Sequence, residues 1–203
     1  MIVPEKITNY NLDNKGLEEY ALFCLMVFNK NANQTAVKLE SFLNWCQKSD
    51  VGYFDSIKRT RSRVKCSYRD MVEKFRFGNT TVKSDGLQSL ISAGLNLRTC
   101  SPEELEEIPG FGMKTSRFFI LHTRPDAQVA CLDTHILEWL SYYTSYDVKK
   151  SPSKNKYLEL EHVFLKIADS MNSTPADLDL KIWNKQRGSD EKPLVANIQK
   201  KKE

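Results

Sequence analysis

A lysine and an aspartate nineteen positions apart, Lys114 and Asp133, are the residues of this sequence best suited to do chemistry together. Asp133 stands where an apolar segment turns into a new amphipathic pattern through Ile136, Leu137 and Leu140, which is the position of a helix N-cap. One helix and one loop could bring both groups to the same cleft, where an amine beside a carboxylate is suited to attack a sugar carbon. The alternative is structural: Asp133 only caps a helix, and Lys114 is a surface lysine.

The turn before Lys114 contains two glycines in the segment Pro109-Gly110-Phe111-Gly112. These glycines permit a tight turn with positive φ, and a second helix is expected to begin at about Met113. Backbone N–H groups of such a turn and of the following helix point outward at one place, where they bind phosphate without side-chain charge. A helix-hairpin-helix holds one DNA strand in this way, although an ordinary corner between two helices would use the same residues equally well.

Together, the two segments resemble the signature of the helix-hairpin-helix DNA glycosylase superfamily, which includes endonuclease III and the 8-oxoguanine DNA glycosylases. Residues 108–115, Ile-Pro-Gly-Phe-Gly-Met-Lys-Thr, match the hairpin, and residues 132–135, Leu-Asp-Thr-His, follow at the family's spacing. The resemblance implies an all-α, two-lobed fold and a bifunctional DNA glycosylase/AP lyase. Such an enzyme flips a modified base, for example 8-oxoguanine, out of duplex DNA, excises it through a lysine Schiff base and nicks the strand by β-elimination. In size the chain is similar to the compact microbial 8-oxoguanine enzymes.

The resemblance also implies a role for each matching position. Lys114 matches the lysine that forms the Schiff base, and Asp133 matches the aspartate that accepts its proton and steadies positive charge on the sugar. The glycine amides of the hairpin are expected to bind phosphate, and a histidine just after the aspartate is expected to hold the backbone or the substrate. The residues expected to contact DNA on this ground are Gly110, Gly112, Met113, Thr115 and His135.

The loop that wedges into the duplex in relatives corresponds to residues 29–33, but the usual glutamine-containing pattern is absent there. The wedge residue and the damaged base are therefore left open. Aromatic side chains could stack on the flipped base, although core packing is the more common role of such residues. The residues considered for the base pocket or the wedge are Phe28, Asn29, Lys30, Asn31 and Trp183.

Two basic segments suggest a polyanionic partner, since the formal net charge of +4 is unevenly distributed. Eight basic residues stand against two acidic ones from Ser56 to Arg76, and seven against three from Lys181 to Glu203. We expect Arg61, Arg63 and Arg69 to contact phosphates of double-stranded DNA that contains a modified base. The alternative is a solvated helix face and a loose tail.

The spacing of apolar residues predicts an all-α chain without internal repeats or alternating strand patterns. By the family's division, 30–121 forms a helical barrel lobe that ends in the helix-hairpin-helix (102–122). Residues 1–29 with 122–188 form a second lobe, and 189–203 a flexible basic tail. Predicted helices run from Leu17 to Phe28, from an Asn33 cap to Cys46, from Arg61 to Phe77, from Ser84 to Ala93 and from Tyr157 to Met171, and others start at Ser101-Pro102 and Thr174-Pro175.

Several classes of protein and site are not expected. No apolar run approaches the roughly 18 residues that span a bilayer, and the first residues lack a secretory pattern. We therefore expect a cytoplasmic or nucleoid-associated protein, or one in the host cytoplasm if it is viral. The five cysteines form no CxxC pair and the three histidines are scattered, so we expect neither an iron–sulfur cluster nor another metal or cofactor. A monomer is expected.

Two other functions are compatible with the same residues. Some phage proteins are thought to use this scaffold to modify bases, for instance by transferring an amine-bearing group to an activated thymine in DNA. Release of a free base, against retention of a heavier base in DNA, would distinguish excision from modification. The hairpin could also serve a non-catalytic DNA-binding module, but the presence of both Lys114 and Asp133 speaks against that.

Overall fold

A computed structural model describes residues 2–46, 51–147 and 151–188, and within these ranges the regular structure is entirely helical. The prediction of an all-α chain is confirmed. None of the described helices is long and apolar enough to cross a membrane. The predicted basic tail, 189–203, lies outside the described residues. A short 3-10 helix, Pro4–Lys6, precedes α1 (Asn14–Val27), α2 (Ala32–Trp45), α3 (Tyr53–Val64), α4 (Tyr68–Lys74), α5 (Thr80–Ser92), α6 (Pro102–Glu106), α7 (Met113–Thr123), α8 (Thr134–Ser141), α9 (Lys154–Ser170) and α10 (Pro175–Gly188).

The described part of the chain divides into two compact units, one up to Cys131 and one from Leu132 onward. The first unit contains α1 to α7 and the second contains α8 to α10. The lobe boundaries expected from the family's division stay a prediction.

Helix α1 forms the centre of the first unit. It begins at an Asp13 cap, whose Oδ1 accepts a hydrogen bond from the Gly16 N–H at 2.7 Å. The apolar residues that share one face of α1 are buried, and so are Leu22, Phe23 and Met26 on other faces, whereas Phe28, just after the helix, is 37% exposed. A helix that is apolar nearly all round is covered on several sides, and α2, α3, α5 and α7 all pack against α1.

The basic segment from Ser56 to Arg76 is not one helix. The predicted helix from Arg61 to Phe77 was wrong, because α3 ends at Val64 and α4 begins at Tyr68. Lys65 adopts a left-handed conformation with φ 51°, which stops α3. The Ser67 hydroxyl and the Asp70 carboxylate then form a capping box that starts α4.

Two helix starts in the first half of the chain also differ from the prediction. Asn31, not Asn33, caps α2, since its Oδ1 accepts a hydrogen bond from the Gln34 N–H at 3.0 Å. Helix α5 starts at Thr80, before the predicted Ser84, and ends near Gly94, whose φ of +63° agrees with the predicted glycine stop.

The second unit consists of α8 to α10, with α10 packed against both α8 and α9. The predicted long amphipathic helix is present as α9, and its Phe164 ring packs edge-on to Trp139 at 6.0 Å between ring centroids. The predicted start of α10 is confirmed as well: the Asp177 N–H donates to the Thr174 hydroxyl at 3.1 Å.

Candidate active site and DNA-binding surfaces

The predicted helix-hairpin-helix consists of α6, a turn and α7. The Ser101 hydroxyl accepts a hydrogen bond from the Glu104 N–H at 3.2 Å, and the Glu104 carboxylate accepts one from the Ser101 N–H at 2.7 Å. This capping box starts α6 as the sequence predicts. The turn continues with a hydrogen bond of 2.9 Å from the Phe111 N–H to the Ile108 carbonyl. Helix α7 then begins at Met113.

The two hairpin glycines differ in backbone conformation and in structural role. Gly110 has a φ of +92°, a left-handed conformation that favours glycine. Gly112 is extended and acts as the N-cap of α7; a Cβ atom there would meet nothing within 4 Å. Gly112 and Lys114 are exposed, and Met113 and Thr115 are half-buried. The first N–H groups of a helix lack partners within it and carry partial positive charge, so this end of α7 is suited to an anion.

Helix α5 packs closely against the hairpin turn. A Cβ atom on Gly86 would lie 2.1 Å from the Pro109 carbonyl oxygen and 2.7 Å from Leu25 Cδ1. The helix backbone therefore approaches the turn more closely than any other residue type would allow. We did not identify Gly86 from the sequence, although a glycine inside a helical pattern is a signal of close packing.

A buried ion pair fixes α7 to α6. The Arg117 side chain is 3% exposed, and its Nη1 lies 2.5 Å from Glu106 Oε1. Beside it, the Ser116 hydroxyl donates to the Met113 carbonyl at 3.0 Å, in the first turn of α7. Breaking such a buried pair leaves an uncompensated charge and is strongly destabilising. The pair therefore fixes the position on α6 of the helix that presents Lys114, and sequence reasoning missed both partners.

Lys114 lies on an aromatic surface. Its Nζ is 5.8 Å from the centroid of the Phe118 ring, one turn further along α7. The Phe118 ring in turn packs against Tyr20 and His122, with centroid distances of 6.2 and 4.8 Å. Burial raises the pKa of the Cys24 thiol, and the charge of Lys114 partly opposes that rise. The ammonium of Lys114 is thus exposed, but it lies above the core formed by α1 and α7.

Asp133 caps α8, as predicted. Its Oδ1 accepts a hydrogen bond from the Ile136 N–H at 2.9 Å, and the residue is half-buried. Because a carboxylate has two acceptor oxygens, capping through Oδ1 is compatible with proton transfer at Oδ2. His135 is half-buried in the first turn of the same helix. Lys114 belongs to the first unit and Asp133 to the second, so their pairing stays a prediction.

The residues considered for the wedge lie in the turn between α1 and α2. Phe28 is 37% exposed, Asn29 has a φ of 53°, and the Asn31 side chain is engaged in capping α2. Trp183 is half-buried in α10, in the other unit. The roles of these residues and of Lys30 toward a base or a duplex stay predictions.

The arginines of the basic segment lie on α3 and α4. The Arg61 guanidinium lies over the Tyr68 ring at 4.8 Å from its centroid, and Arg69 Nε lies 3.0 Å from Glu73 Oε1 on the exposed surface of α4. Arg63 is exposed in the last turn of α3. An exposed ion pair is worth little and can open, so contact of these arginines with phosphate stays a prediction.

Among the described residues, no group of three or more His, Cys, Asp or Glu side chains is arranged to hold a metal ion.

Comparison with known proteins gives a consistent result. The family model for 8-oxoguanine DNA glycosylase matches residues 5–173. An 8-oxoguanine DNA glycosylase/AP lyase of Thermoplasma volcanium is 30% identical over 202 residues, covering 93% of this chain and 91% of the relative. The enzyme of the same name from Picrophilus torridus is 33% identical over 184 residues, covering 86% of this chain and 83% of the relative.

Solved structures show the fold. The Methanocaldococcus jannaschii 8-oxoguanine glycosylase/lyase, in complex with a 15mer DNA containing 8-oxoguanine, matches with a TM-score of 0.65 and 20% identity, covering 90% of this chain and 86% of that one. The 8-oxoguanine DNA glycosylase of Thermotoga maritima matches with a TM-score of 0.66 and 17% identity, covering 93% of this chain and 88% of that one. The predicted helix-hairpin-helix glycosylase fold is confirmed. With its hairpin, its length and its relatives in agreement, the chain belongs to the 8-oxoguanine DNA glycosylase family.

Proposed function

We propose that this protein is a bifunctional DNA glycosylase/AP lyase that removes 8-oxoguanine from duplex DNA. The observation that carries the proposal is an exposed lysine, Lys114, at the second position of the helix that follows the hairpin turn. The hairpin amides hold a backbone phosphate, and the same helix presents an amine beside it. The relatives named above, which carry this activity in their names, support the choice of reaction and of base.

The reaction begins when the modified nucleotide leaves the stack, because C1′ cannot be reached inside a duplex. The neutral amine of Lys114 attacks C1′, and the glycosidic bond breaks with its electron pair going to the departing base, which takes up a proton. Opening of the sugar ring gives a Schiff base between Nζ and C1′. Loss of a proton from C2′ then expels the 3′ phosphate and nicks the strand.

Asp133 acts on the charges that this reaction creates. Its carboxylate accepts the proton that the Lys114 ammonium must lose before it can attack. The same negative charge stabilises the positive charge that develops on the sugar as the base departs. A cap at the start of α8 suits this role, because the hydrogen bond from the Ile136 N–H to Oδ1 holds the carboxylate in one orientation.

The alternative functions are less well supported. Neither base modification nor a DNA clamp without catalysis agrees with the name 8-oxoguanine DNA glycosylase/AP lyase that the Thermoplasma relatives carry. Because a DNA repair enzyme must reach DNA, we expect the protein in the cytoplasm or on the nucleoid. We expect it to act there as a monomer without a metal or an organic cofactor.

A panel of duplexes, each with one defined lesion, tests the proposal. The protein should release free 8-oxoguanine from its duplex and nick that strand on the 3′ side of the lesion, and it should leave an undamaged duplex intact. Mass spectrometry of the base and electrophoresis of the strand report the two steps separately. Retention of a heavier base in intact DNA would instead indicate a base-modifying enzyme.

A further inference from the structure

Three lysines converge on the segment that joins α4 to α5. Lys38 Nζ donates a hydrogen bond of 2.9 Å to the Arg76 carbonyl, and Lys83 Nζ donates one of 3.0 Å to the Phe77 carbonyl. Lys30 Nζ lies 2.8 Å from the point where a Cβ atom on Gly78 would stand. Each of three consecutive residues is therefore approached by a lysine, and we call Lys30, Lys38 and Lys83 the lysine cluster.

Lys83 is the interior member of the lysine cluster. It is fully buried, and its Nζ also donates to the Met26 carbonyl at 2.7 Å, in the last turn of α1. Burial, together with the charges of Lys30 and Lys38, lowers its pKa to about 8. Three ammonium groups close enough to repel one another are unfavourable in the protein by itself.

In the part of the chain that the structure describes, the lysine cluster lacks the carboxylate partners that some other cations possess. Across the described residues, none of its three ammonium groups forms an ion pair with a carboxylate. Elsewhere Lys58 lies 3.5 Å from Asp55, and Arg69 lies 3.0 Å from Glu73. Concentrated positive charge without internal compensation is typical of a site for a polyanion.

The backbone around the lysine cluster adds to the positive potential. Arg76, Gly78 and Asn79 have φ values of 52°, 70° and 48°, so the chain turns tightly before α5. The Asn79 side chain makes no capping hydrogen bond, so the positive end of the α5 dipole beside the lysines is not capped by this residue. The Arg76 side chain is exposed at the same turn.

We propose that Lys30 and Lys38, supported from inside by Lys83, form a second phosphate-binding surface for duplex DNA, in addition to the hairpin. The inference rests on the proposed function for its ligand, since duplex DNA is the polyanion that the enzyme must hold. Lys30 stands between Phe28 and Asn31, in the turn considered for the wedge. A phosphate bound by the lysine cluster would therefore lie beside the residues expected to enter the duplex.

Salt-dependent binding tests this surface. The double variant Lys30→Ala/Lys38→Ala is compared with wild type on a plain duplex and on one carrying a tetrahydrofuran abasic analogue, which the lyase step cannot open. The slope of log affinity against log salt should flatten by about 1.8 for both duplexes, which is about 0.9 for each lost phosphate contact. Between 50 and 200 mM salt the wild type should accordingly lose about 12-fold more affinity than the variant.

Matched variants make the outcome decisive. Lys154→Ala/Lys166→Ala removes two exposed charges from α9 and should leave the slope unchanged, whereas Lys30→Arg/Lys38→Arg should restore it. An unchanged slope in the double alanine variant would overturn the proposal, and so would equal flattening in the α9 control. Loss of affinity for the abasic duplex alone would mean that these lysines act as a wedge and not as phosphate ligands.

The test is independent of the reaction. Flattening by the double alanine variant, together with failure of the wild type to release 8-oxoguanine, would support the DNA surface and refute the proposed function. Normal base release by the wild type, together with an unchanged salt slope in the double alanine variant, would support the proposed function and refute the DNA surface.

Discussion

Replacing Gly86 with alanine should destabilise the protein and impair the hairpin. The new Cβ would lie 2.1 Å from the Pro109 carbonyl oxygen, whereas real Cβ contacts essentially never fall below 3.0 Å. The backbones of α5 and the hairpin must therefore separate by about 0.9 Å, since Leu25 can rotate away but a carbonyl in a tight turn cannot.

The magnitude follows from two opposing effects. Overpacking of this kind costs about 1–3 kcal/mol, and alanine regains about 1 kcal/mol of helix propensity over glycine. A net loss of up to about 2 kcal/mol should lower Tm by up to about 8 °C in a chain of this size. The rate of base release should fall by more than the loss of stability alone would cause, because a displacement of about 1 Å at a catalytic group can reduce the rate about 100-fold.

Thermal unfolding followed by circular dichroism and a single-turnover assay of base release measure the two effects. Gly112→Ala is the control for stability, because a Cβ there meets nothing within 4 Å, and its Tm should fall only by the cost of replacing a glycine cap with alanine. A Gly86→Ala protein as stable and as active as wild type would refute the proposed close packing of α5 on the hairpin.

Three further changes test the electrostatics. Asp133→Asn should reduce turnover at least about 100-fold in single-turnover assays, because asparagine caps a helix equally well but cannot accept the proton; nicking near the wild-type rate would leave Asp133 only a cap. Lys83 has a pKa of about 8 in the folded protein, below its ordinary 10.5. Below pH 8 both the folded and the unfolded chain therefore hold the Lys83 proton, and between pH 8 and 10.5 only the unfolded chain holds it. As the pH rises through that window, the free energy of unfolding of wild type, measured in urea titrations, should increase relative to that of Lys83→Met by up to about 1.4 kcal/mol per pH unit. Parallel pH profiles of the two proteins would contradict the burial of this charge. Joint replacement of Arg61, Arg63 and Arg69 by glutamine should flatten the salt slope of binding to plain and damaged duplexes alike, by about one unit for each phosphate contact; a slope like that of wild type would make these arginines a solvated face.

The parts of the fold that depend on local signals could be predicted from the sequence. Ser101 with Glu104, Thr174 with Asp177, and Asp133 each start a helix as predicted, because a cap is formed within three residues. The break between α3 and α4 also has a local signal, the capping box of Ser67 and Asp70, but the continuous basic pattern around it predicts one helix.

Contacts between distant segments could not be predicted. The approach of Gly86 to Pro109 and the ion pair of Glu106 with Arg117 depend on how three helices pack, which spacing along one chain does not specify. Lys83 is the clearest case: a lysine in the first turn of a helix is ordinarily exposed, yet here it is buried by α1 and by the segment before α5.

Covalent trapping tests the central claim most directly. Sodium borohydride should reduce the Schiff base and leave wild-type protein covalently attached to an 8-oxoguanine duplex, detected as a band of reduced mobility on a denaturing gel. Lys114→Gln should form no such adduct, although it should bind the duplex nearly as well as wild type because the hairpin amides are unchanged. An adduct of undiminished yield with Lys114→Gln would show that another amine attacks the sugar, and the assignment of Lys114 as the nucleophile would be wrong.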